Sequence, residues 1–140
     1  RWRKLSPGAT APNISLQDSN GKALYLKDLR GKFLYISVWA SSYGEMDKEV
    51  QAEWKKLVEE YKDKNILFAT FCMGSSQWLG QVKNLPGEHY VVNNTYAFYS
   101  RYMVTVMPRY MLIDPEGRIV DVDAPKPSSS AKLLLRSVGL

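Results

Sequence analysis

Residues 33–46 read FLYISVWASSYGEM, and this stretch decides the fold. Its first seven residues, Phe33 to Trp39, form a nearly unbroken aliphatic, β-branched and aromatic run. Such a run suits a central strand covered on both faces. Beyond it, Met46, Val50, Trp54, Leu57, Val58 and Tyr61 recur at the spacing of one helical face. Glu45, Asp47 and Glu49 stand at the front of that helix, and Lys62 and Lys64 close it, as the helix dipole favours. Ile66 to Phe71, ILFATF, is a second buried strand. Strand, helix, strand in this order predicts a βαβ unit with its two strands parallel.

Working outward, Ile14 and Leu16 alternate with polar residues, Asn20-Gly21 is a turn signal, and Leu24 and Leu26 lie on a return strand. This predicts an N-terminal hairpin. A short helix is expected over 76–85, ending at Pro86-Gly87, and another over 95–102. Residues 110–113 and 119–122 flank Asp114-Pro115-Glu116-Gly117 as an antiparallel hairpin, and a last helix is expected over 130–138. A βαβ half followed by a ββα half is α/β with a mixed central sheet flanked by helices.

The chain has 140 residues, one domain by the usual length prior, and a chain of this size buries enough surface for a core without disulfides or metal. The net charge is +5, but Lys and Arg are spread among acids, with no basic run interleaved with aromatics. That pattern predicts a mixed solvated surface and no nucleic-acid partner. A single cysteine, Cys72, rules out an intrachain disulfide and a thiolate metal cluster, and a single histidine, His89, leaves little for a His-based metal site. No metal and no cofactor are therefore expected. The chain begins at Arg1 rather than Met, so residues 1–140 read as the fragment or mature part of a longer precursor. No apolar stretch is long enough to span a bilayer, so any membrane attachment would come through an upstream segment.

Three strings lie in this order along the chain: Gly8-Ala9-Thr10-Ala11-Pro12-Asn13-Ile14-Ser15-Leu16, Val38-Trp39-Ala40-Ser41, and residues 106–117, VMPRYMLIDPEG. Together with the element order they resemble the thioredoxin superfamily, and more narrowly the TlpA-like thiol-disulfide oxidoreductases of bacterial envelopes. The resemblance implies a thioredoxin-like fold and a periplasmic or cell-envelope location. In that family the first central strand runs into W-A-x-W-C-G-P-C, whose two cysteines open the long helix. On this pattern Tyr43 holds the place of the attacking thiol and Met46 that of the resolving thiol. Ser42 stands for the second tryptophan, Glu45 for the proline, and Ser37 for the buried acid of the central strand.

A thiol at a helix N-terminus is useful because its pKa falls and it becomes a thiolate. Exchange then passes through a mixed disulfide that a second thiol resolves. A phenol and a thioether do neither. The expectation is a redox-inactive domain in which Tyr43, Met46 and Ser37 mark degenerate catalytic positions. The rival reading is a thiol-disulfide oxidoreductase or antioxidant enzyme working through Cys72 alone. Against it, free cysteine is among the most buried residue types, and no cation adjoins Cys72 in sequence.

Ser42-Tyr43-Gly44-Glu45 also fits the capping box S-x-x-E, which predicts that Ser42 caps the long helix. Pro108 falls where the family has a cis-proline facing the redox pair. There the preceding residue, here Met107, offers its backbone to an extended peptide. Trp39, Ser42, Tyr43, Glu45, Met107 and Pro108 are thus candidates for a groove that takes a protein or peptide partner, or grips unfolded chains. The plainer reading keeps Trp39 and Met46 in the core and exposes Tyr43 alone. His89 is expected in a surface loop, and Phe98 and Tyr102 in helix packing.

Overall fold

A computed structural model of the chain describes residues 5–44, 46–74 and 77–140. Seven strands form one sheet: β1 Ser15–Asp18, β2 Ala23–Tyr25, β3 Phe33–Ala40, β4 Ile66–Met73, β5 Glu88–Val92, β6 Arg109–Ile113 and β7 Ile119–Ala124. The helices are α1 Lys48–Glu60, α2 Trp78–Val82, α3 Thr95–Tyr102 and α4 Ser129–Ser137, and 3₁₀ turns cover Leu26–Leu29 and Ser41–Tyr43, so that Leu26, expected on the return strand, lies just beyond it. The strand order is β2-β1-β5-β4-β3-β6-β7. Strand β3 runs parallel to β4 and antiparallel to β6, and β4 runs parallel to β5. The sheet is mixed, as expected.

Both faces of β3 are covered, which explains its continuous apolar run. Leu34, Ile36 and Val38 alternate into one core with Phe71, Met111, Phe98 and Tyr102. Tyr35 and Trp39 alternate into the other with Trp54, Leu57 and Leu135 from α1 and α4. Tyr35 stacks on Tyr110 with centroids 5.9 Å apart, and its hydroxyl donates to the Pro125 carbonyl at 2.6 Å. Phe98 and Tyr102 are fully buried, so the packing expectation for α3 holds.

Three further local expectations need correction. The long helix begins at Lys48, and its N-cap is Asp47, whose side chain makes no cap hydrogen bond. Ser42 therefore does not cap it; it lies exposed in a 3₁₀ turn over Ser41–Tyr43. The cause is Gly44, which takes φ 82° and ψ −164°, a conformation essentially reserved for glycine and incompatible with continuing a helix. Glu45, the other half of the expected capping box and a member of the expected groove, lies outside the described residues.

Residues 88–92 form a strand that the apolar pattern did not announce, and His89 sits on it half-buried instead of in a surface loop. Its Nε2–H donates to the Leu85 carbonyl at 2.8 Å, which leaves Nδ1 to accept from the Thr70 hydroxyl at 2.7 Å. Helix α2 is shorter than expected, spanning five residues.

Candidate functional site

Strand β3 delivers Ser37, Trp39 and Ala40 to the end of the sheet where α1 begins. Gly44 ends the 3₁₀ turn, and Met46, half-buried, lines the same cleft as Tyr43 and Gly44. Met46 is held there because the Gln51 side-chain amide donates to its carbonyl at 2.6 Å. On the other side, Met107 and Pro108 precede β6, and the peptide bond between them is cis. The Arg109 guanidinium fastens this approach by donating to the carbonyls of Tyr102 at 3.2 Å, Val122 at 3.3 Å and Met103 at 3.2 Å.

These segments enclose a cleft of about 160 Å³. Of the residues named from the sequence, Ser37, Trp39, Tyr43, Met46, Met107 and Pro108 all line it. Ser42 does not, because the 3₁₀ turn points it to solvent. Asp47, Val50 and Tyr110 line it too and were missed. Val50 was readable only as a helix-face residue. Tyr110 comes in because it stands opposite Ser37 in the antiparallel pairing of β3 with β6, a register no local pattern carries.

The cleft combines both readings of its aromatic and sulfur groups. Trp39 is core, at 6% exposed, while Tyr43 is 74% exposed at the rim. Met46 and Met107 are half-buried between them. Burial raises the Tyr110 phenol above its usual range, and the Asp47 carboxylate adds to the rise, while the adjacent Ser37 hydroxyl offsets part of it. Asp47 thus puts negative charge on a cleft lined mainly by apolar surface.

Cys72 lies elsewhere. It stands on β4, fully buried, opposite Trp39, and does not line the cleft. Its thiol lies 3.5 Å from each of the Met73 and Gly74 carbonyls. Burial pushes it up to about 11, only partly offset by Ser41, so at neutral pH it is a thiol and not a thiolate.

Comparison with known proteins places this geometry among relatives. The Redoxin family model matches residues 6–134. The thiol-disulfide oxidoreductase ResA of Bacillus subtilis (strain 168) is 28% identical over 126 residues, covering 84% of this chain and 67% of ResA. The crystal structure of a candidate thiol-disulfide oxidoreductase from Bacteroides vulgatus superimposes with a TM-score of 0.82 at 27% identity, covering 96% of this chain and 98% of that one. The thioredoxin domain of another thiol-disulfide oxidoreductase from the same organism superimposes equally well, TM-score 0.82, at 19% identity over 96% of this chain and 98% of the other.

Proposed function

Since the chain belongs to the Redoxin family, as a TlpA-like member of the thioredoxin superfamily, we propose that it keeps the fold's binding cleft without dithiol chemistry. In this reading it is a redox-inactive domain of the cell envelope that binds a protein or peptide segment between Tyr43 and Pro108. The observation that carries it is the position of sulfur. The half-buried thioether of Met46 and the exposed phenol of Tyr43 line the cleft, while the only thiol of the sequence is sealed one strand away.

A mixed disulfide through Cys72 would require a thiolate that burial disfavours and a second thiol that the sequence lacks. Binding asks for less. Tyr43 offers a large amphipathic surface, and two unbranched methionines adapt to varied partners. The backbone next to Pro108 can hydrogen-bond an extended segment. The envelope location rests on likeness to the thiol-disulfide oxidoreductases of TlpA type.

The binding arm is tested by titrating isotope-labelled protein with a panel of extended peptides and following backbone amide shifts. Shifts centred on Tyr43, Met46 and Met107, and lost in Met107→Asp, are the expected result. Shifts confined to another face, or none with any peptide, would remove the reading.

A further inference from the structure

Resting on the reading of the cleft as a binding site, its floor narrows what the bound segment carries. Ser37 and Trp39 are two residues apart on β3 and so share a face. Ser37 is completely buried and Trp39 is 6% exposed. Among the described residues, Trp39 Nε1 has no hydrogen-bond partner, and Ser37 Oγ has only the neighbouring Tyr110 phenol. The contrast with Trp54 is direct, since that indole donates to the Pro86 carbonyl at 2.8 Å. Two buried polar groups with unused hydrogen-bonding capacity thus line one cleft, a state that a matching occupant relieves.

The two groups define a complement. An indole N–H can only donate, whereas a hydroxyl donates or accepts. An ammonium or guanidinium has no lone pair to offer Trp39. A carboxylate could accept, but it would enter past Asp47 and lose its hydration among apolar walls. A neutral hydroxyl meets both demands, accepting from Trp39 and donating to Ser37. A cleft near 160 Å³ is the size of one ring, since an apolar cavity of about 150 Å³ takes up benzene. Neither polar atom is exposed to solvent, so an occupant reaches them as the walls give. Met46 and Met107 are the adaptable part of those walls.

We propose that the cleft seats one phenol, the side chain of a tyrosine on the bound segment, with its oxygen between Trp39 Nε1 and Ser37 Oγ and its ring against Met46, Val50 and Met107. The test follows the Trp39 indole N–H resonance while labelled protein is titrated with p-cresol, toluene and 4-methylbenzoate, and then with an extended peptide carrying tyrosine and its phenylalanine counterpart. The expected result is a Trp39 indole shift with p-cresol, at least fivefold weaker binding of toluene, and no binding of 4-methylbenzoate. The tyrosine peptide should bind about fivefold tighter than the phenylalanine peptide. Ser37→Ala should weaken p-cresol about fivefold, the loss of one hydrogen bond, without changing toluene.

Equal binding of p-cresol and toluene would overturn the proposal, because the floor would then be merely apolar. A preference for p-cresol that does not extend to the tyrosine peptide would overturn the assignment to a partner's side chain. If peptides bind at the cleft with no preference for tyrosine, this inference falls and the binding function stands. If no peptide binds at all, the binding function falls with it.

Discussion

Trp39 on β3 and Cys72 on β4 stand directly opposite each other in the parallel register, on the sheet face that α1 covers. The pairing puts the thiol under packed side chains and keeps it off the helix approach, where Tyr43 and Met46 line the cleft instead. The cleft and the thiol are thereby separated by one strand, and the reactivity of each can be measured.

The thiol should be slow. Labelling of native protein with an aromatic disulfide reagent at neutral pH is expected to be at least a hundredfold slower than in denaturant, because the sulfur is both buried and protonated. Labelling at the denatured rate would place Cys72 at the surface. The same burial predicts an alkaline limit to stability. A thiol near 9 when unfolded and about 11 when folded stabilises fully below pH 9 and loses its contribution as pH rises toward 11. Urea unfolding should show a decline on the order of 2 kcal/mol between about pH 8 and 10.5 from this group. Cys72→Ala should flatten the curve by that amount.

His89 should set the acid side near neutrality. Its burial lowers its pKa below the ordinary imidazole range, so the folded state holds the neutral ring more firmly than the unfolded state does. Its contribution is present above the unfolded pKa near 6.5 and is lost as pH falls toward the lower folded value. Stability measured by urea at pH 7 and pH 5.5 should drop on acidification. His89→Gln should remove most of the drop, since no other histidine exists in the sequence. An unchanged slope in that variant would assign the drop to carboxylates.

Ser37→Ala should change stability by less than about 1 kcal/mol, because the buried hydroxyl has only the neighbouring Tyr110 phenol to bond. Chemical denaturation checks this. A loss of about 2 kcal/mol would mean that Ser37 is fully satisfied within the fold and has nothing left for an occupant.

Gly44→Ala and Tyr43→Ala should part company. The glycine conformation at residue 44 makes an added methyl cost about 1–3 kcal/mol. Tyr43, being mostly exposed, should be replaceable within about 0.5 kcal/mol while peptide binding at the cleft falls at least tenfold. Thermal unfolding and the peptide titration, run on both variants, separate the two effects.

Most of the architecture was legible because the deciding signals are local. The apolar run of β3, the helical face from Val50 to Tyr61 and the turn at Asp114-Pro115-Glu116-Gly117 each carry their own period or breaker. Strand β5 was not, because Glu88 and His89 interrupt its apolar half and its support comes from pairing with β4 and β1. The helix start was misplaced because S-x-x-E is a side-chain pattern, whereas the backbone of Gly44 decides where the first turn can form. In the cleft, Ser37, Trp39, Tyr43, Met46, Met107 and Pro108 were named from the family pattern, Ser42 was named and does not line it, and Tyr110 and Asp47 were not named. Their presence depends on strand register and on the five-residue shift of the helix cap from Ser42 to Asp47, neither of which is written in any short window.

The central claim is that this domain has the fold of a thiol-disulfide oxidoreductase and no longer exchanges thiols. The direct measurement is reduction of insulin disulfides in the presence of dithiothreitol, comparing pure protein with its Cys72→Ala variant. Both should run at the rate of dithiothreitol alone. Turnover above that rate, abolished by Cys72→Ala, would contradict the claim and make the buried thiol a catalyst.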